Sequence, residues 1–66
     1  MQIFLNGQTL HLQAPVSLAE LLEQQGYALR RVAVEVNRSI VPKSQHGLHS
    51  LCEGDKVEIV HALGGG

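Results

Sequence analysis

Tryptophan is absent from this sequence, and Phe4 and Tyr27 are its only aromatic side chains. A platform on which nucleic-acid bases stack needs more rings than that, so this mode of binding is disfavoured. Cysteine is equally scarce. Cys52 stands alone, cannot close an internal disulfide, and fits a reducing compartment, so a cytoplasmic protein is expected. No charge of one sign dominates, because five Lys/Arg against six Asp/Glu leave a formal net charge of -1. Arg30, Arg31, Arg38, Lys43 and Lys56 are scattered along the chain, which argues against nucleic acid or a membrane surface as partner. No apolar run approaches the ~20 residues of a membrane span, and no leader segment is visible. With 66 residues the chain has room for one small domain whose core leaves little space for a buried pocket. Most enzyme classes are disfavoured on size alone.

What is present is well patterned. Met1 to Leu5 reads as an apolar strand, and Asn6-Gly7 is a strong hairpin signal, since a type I′ turn needs positive φ at both positions. Gln8 to Gln13 alternates as the return strand, with Leu10 and Leu12 on one face, until Ala14-Pro15 ends it. Ser17 and Glu20 form the signature of a capping box, and Leu18, Leu21 and Leu22 lie on one stripe of a helix of about ten residues. Gly26 marks its stop. Val32, Val34 and Val36 alternate as a third strand that Asn37 ends, and Ile40-Val41 is a brief fourth before Pro42. Lys43 to Leu51 reads as a loop with a helical turn. After a Gly54-Asp55 turn, Lys56 to Ala62 alternates as the last strand. A two-stranded hairpin cannot bury its own apolar face, so the helix must cover it and the last strand must close the sheet. The expected fold is therefore α+β, a β-grasp in which one helix crosses a mixed four- or five-stranded sheet, with the first and last strands parallel at its centre. Residues 1–63 make this domain, and residues 64–66 a flexible glycine tail.

No catalytic set is visible. His46 and His49 have a spacing that could chelate, but no cysteine or carboxylate pattern completes a metal site, so the four histidines read as structural or exposed. Cys52 has Glu53 beside it rather than a cation that would favour a thiolate. Gly64-Gly65-Gly66 precedes no helix and so cannot cradle a phosphate. The outer sheet face is more informative. If Ile3, Leu5, Val57 and Ile59 point to the helix, then Phe4, Val60 and Ala62 point away. They form either a small docking patch or the scattered apolar exposure common to all small domains. The tail is the sharpest feature. Three terminal glycines after Leu63 are either a frayed end or a handle thin enough to thread a narrow channel and bring a terminal carboxylate to a partner's active site. A carboxylate must be activated before it reacts, and adenylation by a partner enzyme is the obvious route.

The stretch Asn37-Arg38-Ser39-Ile40-Val41-Pro42-Lys43 resembles the Asn-x-x-(Ile/Val)-Val-Pro-(Arg/Lys) segment of the ThiS family of sulfur carriers. Gly54-Asp55-Lys56-Val57-Glu58-Ile59-Val60, the opening hairpin, the overall length and the glycine end are similar to the same family. His46 is a departure, as relatives often carry tryptophan there. The resemblance implies a ubiquitin-like carrier that takes part in making the thiazole ring of thiamine. It implies that Gly66, with Gly65 beside it, is adenylated with ATP by a ThiF-like enzyme. A sulfur donor would then convert the adenylate to a covalent thiocarboxylate for a ThiG-like thiazole synthase, the carrier itself binding no cofactor and catalysing nothing. Phe4, Val60, Ala62, Leu63 and Gly64 would contact these partners. A molybdopterin-synthase small subunit, usually longer, and a ubiquitin-like modifier or interaction module are the competing readings.

Overall fold

The first hairpin turns at Asn6 and Gly7, whose φ angles of 49° and 84° are the pair of left-handed conformations the Asn-Gly signal anticipates. In the computed structural model, which describes residues 1–61, β1 (Gln2–Leu5) and β2 (Gln8–His11) run antiparallel from this turn. Alternation predicts a return strand reaching Gln13, yet regular pairing stops at His11. The Leu12 amide still donates to the Met1 carbonyl at 2.7 Å, and the Met1 ammonium donates to the Leu12 carbonyl at 2.9 Å.

The helix α1 (Leu18–Gln24) has seven residues rather than the predicted ten. Its start satisfies every early donor. The Leu18 and Ala19 amides donate to the His49 and His46 carbonyls, and the Glu20 amide to Ser17 Oγ, while the Ser17 amide donates to Glu20 Oε1. The loop before the last strand therefore supplies half of the cap, and the capping box supplies the rest. The helix ends early because the stop needs room. Gly26 takes φ 86°, its amide donates to Glu23, and the Tyr27 amide donates to Leu22 at 2.7 Å. These two bonds make a Schellman motif, which uses the last helical carbonyls and turns Tyr27 back toward Leu22.

The second half supplies β3 (Val32–Val36), β4 (Ser39–Ile40), a 3₁₀ turn over Lys43–Gln45 and β5 (Lys56–His61). The sheet order is β2-β1-β5-β3-β4, with β1 and β5 parallel and the other pairs antiparallel. This is the β-grasp arrangement anticipated, in its five-stranded form. The brief fourth strand lies at Ser39–Ile40, one position earlier than the apolar Ile40-Val41 pair suggests, although the Val41 amide still donates to Val34. Ile3, Leu18, Leu21, Val34 and Val57 are fully buried between helix and sheet. Their mutual burial is the main source of stability in a domain this small.

Between β3 and β4 the chain turns through Asn37 and Arg38, with φ of 52° and 71°. Asparagine tolerates this region, but a left-handed arginine costs about 1–2 kcal/mol. Arg38→Gly relieves that strain at an entropic cost of about 0.5–1 kcal/mol. A net gain of about 0.5–1 kcal/mol is expected, read by calorimetry as a Tm several degrees higher. An unchanged or lower Tm would show that the Arg38 side chain contributes something the backbone geometry does not reveal.

Candidate functional site

The feature that matters is how firmly β5 is held, because it carries the chain toward its C-terminal residues. Two asparagines hold it. Asn6 accepts the Ile59 amide on Oδ1 at 2.8 Å and donates its own amide to the Val57 carbonyl at 2.9 Å. The hairpin turn is thus also a clamp on the middle of the last strand. Asn37 holds the start of β5: its Oδ1 accepts the Lys56 amide and its Nδ2 donates to Asp55 Oδ1, both at 3.0 Å. Asp55 Oδ2 in turn accepts the Cys52 amide at 2.8 Å. The two stretches that carry the family resemblance, around Asn37 and around Gly54-Asp55, are one hydrogen-bonded unit. Their residue types follow from this geometry, since Gly54 (φ 82°) and Asn37 both occupy left-handed backbone.

The predicted docking residues separate in space. Phe4 stands opposite Lys56 across the parallel pairing, whereas Val60 stands opposite Ala33 on β3. Both belong to the face away from the helix, and Val60 is 58% exposed. The parallel register nevertheless puts Glu58 between their levels, so they do not form one continuous apolar patch. Phe4 borders a groove with Gly7, Lys56 and Glu58, a mixed surface with one charge of each sign. Ala62, Leu63, Gly64, Gly65 and Gly66 lie outside the described residues.

The histidines divide between inside and outside. His46 is buried to 8% exposure and its Nε2–H donates to the Val41 carbonyl at 2.9 Å, so it is a satisfied structural residue. His11 and His61 are exposed and His49 is half-buried. Among the described residues no group of three potential metal ligands comes together. Cys52 is exposed, with its sulfur 4.0 Å from the Ser50 carbonyl oxygen. No helix among these residues is long and apolar enough to cross a membrane. Sequence reading missed one juxtaposition, the meeting of Arg30, Arg31 and Lys43 around a single cleft. Lys43 is twelve residues from the Arg30-Arg31 pair, and only the fold brings it there.

A mixed sheet with parallel central strands, one covering helix and a clamped last strand define a ubiquitin-like β-grasp protein. Comparison with known proteins narrows this. The ThiS family model matches residues 3–66, and the chain belongs to the ThiS family. It is 33% identical to the sulfur carrier protein ThiS of Escherichia coli, over the whole length of both chains. The solved structure of the thiamine biosynthesis protein ThiS from Geobacter metallireducens superposes with a TM-score of 0.87 at 26% identity, covering 100% of both chains. Thiazole synthase of Magnetococcus marinus is 41% identical over all 66 residues, which are 20% of that protein. The chain therefore spans about a fifth of the length of this relative, and the same share of the thiazole synthase of Paramagnetospirillum magneticum.

Proposed function

We propose that this chain is the sulfur carrier for thiazole formation in thiamine biosynthesis, and that its chemistry is confined to the carboxylate of Gly66. The family match extending through residue 66 carries this reading, because it includes the glycine end as well as the fold. In the proposed sequence, a ThiF-like partner directs the Gly66 carboxylate to the α-phosphorus of ATP. Pyrophosphate leaves and an acyl adenylate remains. A sulfide equivalent from a sulfur donor then attacks the carbonyl carbon; the C–S bond forms, the C–O bond to AMP breaks, and a thiocarboxylate results. That group is ionised at neutral pH and so delivers sulfur as a nucleophile. The thiazole synthases that contain a similar region support a ThiG-like enzyme as the acceptor.

Glycine suits this role because it has no side chain beyond Cα, so a channel that admits Gly64, Gly65 and Gly66 can exclude bulkier sequences. The fold has only to present the tail and a surface for docking. In this reading Phe4 and Val60 are separate contact points on the outer sheet face, and Ala62, Leu63 and Gly64 contact the partner along the tail. Phe4→Asp is expected to weaken binding to the adenylating enzyme about tenfold, as expected for a buried interface aromatic, while the Tm stays near that of the wild type. Unchanged affinity would make the exposure of Phe4 incidental.

The function itself is tested by intact-mass spectrometry of the chain ending at Gly66 after incubation with a ThiF-like enzyme, ATP and a sulfur donor. The expected product carries one sulfur in place of one oxygen at the C-terminus. No such gain with an enzyme active on its own carrier would sink the proposal. Attachment to lysines of other proteins would instead favour a modifier.

A further inference from the structure

The adjacent pair Arg30 and Arg31 meets Lys43, twelve residues further along the chain, at one end of the sheet. Arg30, Arg31 and Lys43 rim a cleft of about 240 Å³ whose apolar lining includes Leu22, Tyr27 and Val32, and no carboxylate lines it. Local structure puts them there. The Schellman turn directs Tyr27 back over the helix end, the Arg30 amide donates to the Tyr27 carbonyl at 3.0 Å, and Lys43 begins the 3₁₀ turn. Among the described residues neither Arg30 nor Lys43 has an ion-pair partner, and both are exposed. Glu23 lines the adjoining groove together with Lys43 and bounds the cationic region on that side. Beside the rim, Leu29 is 100% exposed.

The location ties the cleft to the chemistry. Val32 pairs with His61, the last described residue of β5, and the Tyr27 ring lies 6.2 Å from that of His61. The cleft is therefore at the end of the sheet where the chain continues to residues 62–66. Any enzyme that acts on Gly66 must approach this end.

We propose that the cleft receives an acidic amphipathic segment of the adenylating enzyme. An apolar side chain of that segment enters between Tyr27 and Val32, and its carboxylates face Arg30 and Lys43. This rests on the reading that a partner adenylates Gly66. Charge complementarity selects such a segment: the lining is apolar, the rim is positive, and the chain as a whole carries a net charge of -1. Three of the five Lys/Arg side chains meet at this cleft, so an acidic partner surface is attracted most strongly here, which orients the encounter with the tail foremost. A nucleotide fits less well, because the cleft has neither a glycine loop nor a helix N-terminus to bind phosphate.

The test is binding of the ThiF-like enzyme by calorimetry at several salt concentrations. The double variant Arg30→Glu with Lys43→Glu is expected to bind about tenfold or more weakly and to lose most of the salt dependence of the wild type. Arg38→Glu, at the turn between β3 and β4, carries a single reversal outside the cleft and should change affinity by less than about twofold. Both variants should keep the wild-type Tm, since the substituted side chains are exposed. Wild-type affinity in the double variant, alongside weakened binding by Phe4→Asp, overturns the cleft proposal and leaves the carrier reading intact. Absence of binding by the wild-type chain overturns both. ATP added without enzyme, if it perturbs the Arg30 and Lys43 side-chain resonances, makes the cleft a nucleotide site and overturns the proposal as well.

Discussion

Deletion of Gly65 and Gly66 abolishes sulfur loading and leaves the domain as stable as before. The expected result follows from where the two properties reside. Every buried apolar side chain among the described residues falls between Ile3 and Ile59, and the clamps on β5 come from Asn6 and Asn37. None of these contacts involves the deleted residues. Stability should therefore change by no more than about 0.5 kcal/mol, as for surface changes elsewhere. The chemistry, in contrast, requires a carboxylate that reaches the α-phosphorus of ATP. After deletion the terminal carboxylate belongs to Gly64 and falls short by two residues, about 7 Å of extended chain. Reacting atoms must come within about 3.5 Å, so that deficit is decisive. Intact-mass analysis should show no sulfur-for-oxygen gain even after prolonged incubation, while calorimetry gives a Tm close to that of the full chain. Loading that persists would place the activated group elsewhere and remove the basis for a terminal thiocarboxylate.

The elements of this fold were legible in proportion to how local their causes are. Asn6-Gly7, the Ser17–Glu20 capping box and Gly26 each work within a few residues, and each behaves as its sequence signature predicts. The length of the helix was misjudged because the Schellman turn consumes residues that a periodicity count assigns to the helix. Arg38 was not legible as a left-handed residue, since arginine carries no signal for positive φ and the turn takes its shape from the strands it joins. The outer face illustrates the non-local limit. Alternation correctly sends Phe4 and Val60 to the same side, but only the parallel pairing of β1 with β5 determines that Glu58 stands between them. The family motifs were recognisable before their cause was. Asn37 and Asp55 are far apart in sequence, and the hydrogen bond that explains both appears only once β5 lies against β3.

Leu21→Ala is expected to have the opposite signature to the tail deletion. Leu21 is 0% exposed and sits on the one helix that covers the sheet, packed in the core with Ile3, Val34 and Val57. Truncating a leucine in such a position costs about 2–5 kcal/mol, part transfer energy and part cavity. A domain of this size has about 3–10 kcal/mol in total, at 0.05–0.15 kcal/mol per residue. The Tm should accordingly fall by at least about 10 °C, and at the upper cost a large fraction of the chain is unfolded at 25 °C. The Gly66 carboxylate is untouched. Because the partner binds the folded form, the apparent Kd rises by the inverse of the folded fraction, and saturating enzyme pulls the equilibrium back. Sulfur loading should therefore slow at low enzyme concentration and still reach completion at high concentration, whereas the tail deletion stays at zero under both conditions. Measuring the extent of loading against enzyme concentration separates the two. Failure of the Leu21→Ala variant to load at saturating enzyme would mean that the helix contributes to the reaction itself and not only to the fold that presents the tail.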